Sequence, residues 1–542
     1  MLISKLIKPT LMMIILGVLL VGCSSEDNSS NKIPEKISYE IKSTMNNTND
    51  IHVKKFNLGS TTFEERGKTI PFDKEGIIAI PKDLKDNAPV VFVFHGRHSD
   101  KEKTDFEDGF KYLVEDLAKN GIIGISVDSS INYTFKYGEP VENERLVTLF
   151  QEHLNSLKLA NKGSDVGYGY DLNDKVDLDN IGLIGHSVAG SGVFKIASNQ
   201  IKNDSETIKG IIAVAPAYNA IIDNFPDVTS SLIVSEYDGD VMHAGADLYE
   251  DILKKHSERE NPLGLTYLFG GNHNGFNSVL SDKEFSTPPT TNGTYPGKIS
   301  PEKQRDFLSN YSVDFMKSVF NIGEDMSPIF IKNKVTPSKL YGYEVVSKIY
   351  YNDTENIFDE KDFKNVNISK VESEIVTESY IPEKDSIGVF RTIEYAEKLN
   401  LLKLDWKNKG SSVSIPLKTK DLSKFSQIGL SFALNSPSEL NSVDKEVVFD
   451  ISLVDNNGKE SVLNISNNNI SSLKYINGEI VVNEYVDGMY HNYWSRPTPI
   501  SYTNIPLNLF DNIDLSNVKY LKINFNNTES GSLIIDKVMA IK

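Results

Sequence analysis

The feature that most constrains this chain is a change of hydrophobic texture near residue 335. Ahead of it, from about residue 50 to 325, short apolar runs alternate with stretches of helical periodicity. The runs are Gly76–Pro81, Val90–Phe94, Ile122–Val127, Ile181–Ile184, Ile211–Ala215, Leu232–Val234 and Thr266–Phe269. Near-continuous apolar runs of this length suit strands covered on both faces, as in a parallel sheet. The helical stretches include Phe110–Lys119, Glu142–Leu159 and Gln304–Phe320, the last with Phe307, Leu308, Tyr311, Phe315 and Val319 at helical spacing. This alternation predicts an α/β fold with a doubly wound, mostly parallel sheet. Beyond the change, Ile428–Leu434 and Leu521–Phe525 alternate with period two, the pattern of strands with one buried and one wet face. Asp455-Asn456-Asn457-Gly458 separates Val447–Val454 from Val462–Ile465 as a hairpin turn does. Texture of this kind predicts an antiparallel all-β sandwich. The two expected domains cover residues 51–330 and 335–542.

Lys5 and Lys8 precede the apolar run Leu11 to Val21, so residues 1–22 read as a secretory signal. The run is shorter than the roughly 20 residues of a membrane-spanning helix. It ends in Leu20-Val21-Gly22-Cys23, which resembles the lipobox of bacterial lipoproteins. That resemblance implies cleavage before Cys23, lipidation of its thiol and a secreted, extracytoplasmic protein held at the cell surface or periplasmic face. Cys23 is the only cysteine, so no intrachain disulfide can form. Residues 23–50 are rich in Ser, Asn, Lys and Glu and read as a flexible tether. With 57 basic against 75 acidic side chains and a net charge of −18, nucleic acid is not an expected partner.

Ile181-Gly182-Leu183-Ile184-Gly185-His186-Ser187-Val188-Ala189-Gly190 reads as a strand, a tight turn and the start of a helix. A serine in such a corner is held with its hydroxyl at the top of the sheet. A plain helix cap would use the same residue type, so the chemistry has to be carried by partners. Serine needs a base, and the base an orienting acid, which follow it here in the order acid then histidine. Downstream lie His243, His256, His273 and His491. His256 sits in the charged helical stretch Asp251–Glu260, His491 in the other domain, and His243 just after the acidic turn. His273, in the glycine-rich Gly270-Gly271-Asn272-His273 loop after an apolar strand, is the candidate base. Asp238 falls at the carboxyl end of its strand, where active sites of open α/β sheets gather, and is the candidate acid, with Asp240 second. Oxyanion donors are expected at the Val188 amide and in the loop His95-Gly96-Arg97-His98, at Arg97 or else His98. Neither a His-Glu-x-x-His pattern nor a Cys/His cluster points to a metal, and no cofactor is expected. The acidic run from Asp171 to Asp179 lacks the features of a calcium loop and reads as a solvated turn.

With these residues in place the chain resembles the α/β-hydrolase superfamily, in particular secreted bacterial esterase- or lipase-like members near the polyester-hydrolase and chlorophyllase-like groups. The resemblance is carried by Val93-Phe94-His95-Gly96-Arg97-His98, by Asp177 through Ser187, by Asp238-Gly239-Asp240-Val241 and by Asn272-His273-Asn274, over roughly residues 60–320. It implies nucleophile Ser187, acid Asp238 and base His273, and hence a hydrolase of carboxylic esters; a peptidase would share the triad. The sequence departs from those relatives after the serine, with Val188-Ala189-Gly190 in place of Arg-Gly-Gly or Met-Gly-Gly. The C-terminal region resembles carbohydrate-binding, galactose-binding-like or jelly-roll sandwiches around Leu515–Tyr520 and Gly531–Asp536, which implies a polysaccharide partner. Trp406, Trp494, Tyr490 and Tyr493 are candidates for a sugar-stacking platform or for core packing. The second expectation, from a different class, is a surface glycan-binding or adhesion lipoprotein on a degenerate hydrolase scaffold.

Overall fold

The computed structural model describes residues 40–84, 87–98, 104–133, 141–203, 207–218, 225–242, 244–256, 258–284, 294–322, 328–329, 331, 334–377, 399–466, 473–484, 490–496 and 498–542. The expected signal at residues 1–22 and the expected lipidation site Cys23 lie outside them. No helix among the described residues is long and apolar enough to cross a membrane.

The first half is built on a sheet of β1 (Ile51–Glu65), β2 (Lys68–Pro81), β3 (Ala88–Phe94), β4 (Ile123–Val127), β5 (Val176–His186), β6 (Ile208–Val214), β7 (Thr229–Tyr237), β8 (Leu263–Asn272) and β9 (Tyr343–Tyr350). The spatial order is β1-β2-β4-β3-β5-β6-β7-β8-β9, with the short strands Lys339–Leu340 and Glu40–Ile41 completing the edge. Strands β4, β3, β5, β6, β7 and β8 are mutually parallel. Strands β2 and β9 join them antiparallel, and β1 pairs antiparallel with β2.

The apolar runs are continuous because helices cover both faces. In β3, every residue is buried. Val90, Phe92 and Phe94 face one core, shared with α2 (Val141–Ala160), α3 (Val188–Lys202) and α4 (Ala244–Lys255). Val91 and Val93 face a second core, shared with α1 (Lys111–Lys119) and α5 (Pro301–Val319). Helix α5 starts where Ser300 accepts a bond from the Lys303 amide and Pro301 opens the first turn, a placement proline favours.

The second half holds two antiparallel sheets. One runs β10 (Val371–Thr377), β11 (Asn400–Trp406), β18 (Gly531–Ile541), β13 (Gln427–Leu434), β16 (Ser501–Pro506), with Thr354–Phe358 also against β18. The other runs Asn367–Ser369, β12 (Ser411–Pro416), β17 (Val518–Phe525), β14 (Val448–Asp455), β15 (Glu460–Ser466). The hairpin at Asp455–Gly458 forms, with Val454 opposite Glu460 and Gly458 at φ 83°. Side chains from both sheets, among them Leu430, Phe449, Ile451 and Ile523, share one core.

Three features differ from the sequence-based expectation. The α/β sheet does not stop at residue 330: β9 pairs along β8 over six residues, and Lys339–Leu340 extends that edge. Part of the expected tether is anchored, since Glu40–Ile41 pairs with Lys339–Leu340, Ile41 is buried, and Thr44 bonds Asp314. All eight residues of β13 are buried, so it has no wet face. The α/β half covers its neighbour β16, where Asn504 and Thr336 exchange hydrogen bonds and Lys348 lies over the Tyr502 ring, and Ala433 packs with Leu401, Ile500 and Ile534. Residues Lys36–Lys542 accordingly form one compact unit.

Trp406 belongs to the core. It is fully buried, stacks on Phe525 with ring centroids 3.9 Å apart and donates its indole N–H to the Thr528 carbonyl. Trp406→Ala is therefore expected to cost ~3–5 kcal/mol of stability, read by chemical denaturation followed by circular dichroism. The side chains of Tyr490 and Tyr493 lie outside the described residues, and Trp494 is half-buried.

Candidate active site

Because β3, β4, β5, β7 and β8 run parallel, their carboxyl ends lie along one edge of the sheet. Strand β5 passes straight into α3 at Ser187, whose φ of 59° and ψ of −125° lie outside the regions that L-residues ordinarily occupy. Strain of this kind costs roughly 1–3 kcal/mol and persists only where the surroundings enforce it. Main-chain bonds do so here: the Ser187 amide donates to the Val214 carbonyl, and its carbonyl accepts from the Gly190 and Ala217 amides. Gly185 makes the turn possible, since a Cβ there would sit 2.2 Å from the Ala189 carbonyl oxygen.

Asp238, just past the end of β7, and His273, just past β8, meet across the sheet edge. His273 Nδ1 lies 2.9 Å from Asp238 Oδ2, and both side chains are completely buried. The other carboxylate oxygen, Oδ1, accepts from the amides of Asp240, Val241 and Met242 at 2.9–3.1 Å. The acidic turn thus fixes the carboxylate and leaves one oxygen for the imidazole. Burial alone would lower the His273 pKa, but Asp238, Asp240 and Glu284 together outweigh it and lift the ring to about 9.

The His273 loop also touches the strand that leads to Ser187. His186 Nε2 donates to the His273 carbonyl at 3.0 Å, which fixes the His186 tautomer, and the two rings lie 4.7 Å apart. Burial, then His273 and His98, pushes the His186 pKa well below the usual histidine value. His98 is depressed likewise, first by burial.

The loop after β3 lies against the serine. A Cβ on Gly96 would fall 2.4 Å from Ser187 Cβ and 3.1 Å from its Oγ, so only glycine permits this approach. His95 holds the loop: Nδ1 donates to the Gly96 carbonyl, Nε2 accepts from the Ser129 amide, and the His95 carbonyl accepts from Ser129 and Tyr133. Arg97 follows Gly96 directly. Val188 opens α3, where an amide has no partner within the helix. The structure therefore gathers Ser187, Val188, the Gly96-Arg97 loop and the Asp238–His273 pair at one edge. It does not form a Ser187–His273 hydrogen bond: His273 Nε2 has no hydrogen-bond partner and lies 3.5 Å from Asp240 Oδ2. His243 lies outside the described residues, and the His256 side chain is half-buried beyond α4.

A cleft of about 520 Å³ opens beside the site, lined by Arg97, His98, Phe106, Asp240, Asn274 and Glu284 among others. Among the described residues, two groups bring possible metal ligands within 4.8 Å of one another: His95, Glu107 and Asp128, and Asp105, Glu107 and Asp108. Several of these donors already have partners. Both His95 nitrogens bond main-chain groups, and Lys55 pairs with Asp105 at 3.0 Å and Asp108 at 2.6 Å.

Sequence reasoning missed two carboxylates that brace the segments carrying Asp238 and His273. Glu236 accepts from the Gly270 amide and pairs with Arg496 at 2.7 Å, linking β7, β8 and the second half of the chain. Glu284 accepts from the amides that follow Asp238 and His273. Neither has a local sequence signal, because both act through contacts far apart in the chain.

No protein-family model matches the chain, and no curated protein matches it.

Proposed function

We propose that this protein is a serine hydrolase of carboxylic esters with an α/β-hydrolase fold, working through an acyl-enzyme. The observation that carries the reading is the strained Ser187 at a strand-to-helix corner, on the same sheet edge as a buried His273–Asp238 pair. The mostly parallel open sheet and the chain order serine, aspartate, histidine agree with it.

In the proposed reaction, His273 Nε2 takes the Ser187 proton as Oγ attacks the ester carbonyl. The Val188 and Arg97 amides hold the oxyanion, His273 returns the proton to the leaving alcohol, and water resolves the acyl-enzyme by the same route. Asp238 keeps the ring in the tautomer with Nδ1 protonated. The first requirement is a hydrogen bond between Ser187 and His273, of the kind that is often long before substrate binds. Asp240 competes for the same nitrogen.

The sequence-based expectation of a lipid anchor on Cys23, in a protein facing the outside of the cytoplasm, is retained in the proposal. A polysaccharide partner for the β-rich half is also retained, but its platform would have to use aromatics other than the buried Trp406.

Turnover of p-nitrophenyl esters of graded acyl length by the full chain tests the proposal, with hydrolysis expected and inertness toward every ester contradicting it. The base must be neutral to act, and its pKa is raised to about 9. We therefore expect kcat/KM to climb as pH rises from 7 toward 9. Asp240→Asn removes one of the charges that raise the ring, so the climb should move to lower pH. A climb at unchanged pH in that variant would separate Asp240 from the base.

A further inference from the structure

We infer that Glu284 is a positioning residue that clasps the acid turn and the base loop into one unit. This rests on the hydrolase reading for its consequence and on geometry for its existence. Glu284 Oε2 accepts from the Gly239 amide at 2.7 Å, the residue directly after Asp238. Its Oε1 accepts from the Asn274 amide at 2.8 Å, the residue directly after His273. One planar carboxylate thus bonds the main chain next to each member of the acid–base pair.

The segment that carries it is tied to the base loop on both sides. Asn274 Nδ2 donates to the Ser281 carbonyl at 2.9 Å, and Asn272 Nδ2 donates to Asp282 Oδ1 at 2.8 Å. From this footing the Glu284 side chain crosses to the acid turn. The clasp acts on orientation: the Asp238–His273 bond joins two loops at the ends of different strands, and a shift of about 1 Å in a reacting group can cost on the order of 100-fold in rate. A hydrogen bond from each loop to the same carboxyl group limits that shift. Glu284 also lines the cleft beside the site, so it stands at the rim and not beneath the sheet. It is placed to hold the pair, not to touch the reacting atoms.

The test uses the full chain with Glu284→Ala and Glu284→Gln. Alanine removes both acceptors, whereas glutamine keeps the shape and one acceptor but turns an N–H₂ toward the second amide. The inference expects kcat on p-nitrophenyl butyrate to fall about 10- to 100-fold in the alanine variant, less in glutamine, with KM moving less than about twofold in both. It also expects the downfield proton resonance of His273 Nδ1–H to shift or broaden in both. An unchanged kcat together with an unmoved resonance overturns the inference. Should alanine prevent folding, the same two readouts in the glutamine variant decide. Inertness of the wild-type chain toward all esters would count against the hydrolase reading instead. The resonance would then still judge the clasp, supporting it if moved and refuting it if not.

Discussion

Replacing Ser187 with alanine is expected to lower kcat on p-nitrophenyl esters by about 10⁶-fold, the scale on which loss of a serine nucleophile leaves only binding and oxyanion contacts. The fold should survive the change. The corner is held by main-chain bonds from the Ser187 amide to Val214 and from the Gly190 and Ala217 amides to the Ser187 carbonyl, none of which involves the hydroxyl. Serine and alanine also bear similar strain at a φ of 59°. Circular dichroism and the unfolding midpoint should therefore match the wild type while turnover disappears. An active alanine variant would remove Ser187 from the chemistry.

The second large effect concerns the contact between the two halves of the chain. Glu236 is about 1% exposed and has Arg496, itself 11% exposed, as its ion-pair partner. Arg496→Ala strands a carboxylate in a buried setting, which typically costs ~3–5 kcal/mol. The pH dependence follows from the direction of the shift. Burial already raises the Glu236 pKa even with Arg496 opposing it, and losing the arginine raises it further. A carboxyl whose folded pKa exceeds its unfolded value binds a proton more tightly when folded. The deficit of the variant should thus be smallest at or below the unfolded value of about 4.5 and should grow as pH rises through the folded one. Urea unfolding at pH 5 and pH 8 checks this. Adding Glu236→Gln should recover much of the lost stability by removing the stranded charge. A deficit independent of pH would show that Arg496 acts by packing alone.

That contact explains which parts of the architecture were legible in the sequence. Strands such as β3 were legible because burial on both faces leaves a continuous apolar run. The corner at Ser187 was legible because small residues and a strand-to-helix switch leave a local trace. Asp238 and His273 were legible through chain order and strand ends. Strand β1 was not, since only Phe56 and Phe63 among its fifteen residues are buried. Strand β9 lies beyond a change of texture and pairs back across some 80 residues to β8, a contact with no local signature. The full burial of β13 arises from segments distant in the chain, among them Leu401, Ile500 and Ile534 around Ala433, which period-two patterning cannot report. Glu236, Glu284 and Arg496 were invisible for the same reason: isolated charged side chains read as solvent-facing until the fold brings their partners.

The most direct measurement of the central claim is covalent labelling of the full chain by a fluorophosphonate, followed by mass mapping of the adduct. The proposed mechanism predicts a single phosphonylated peptide with the label on Ser187, formed faster as pH rises toward 9 and absent from Ser187→Ala. A wild-type chain that stays unlabelled across that range, or one labelled at another residue, would contradict it.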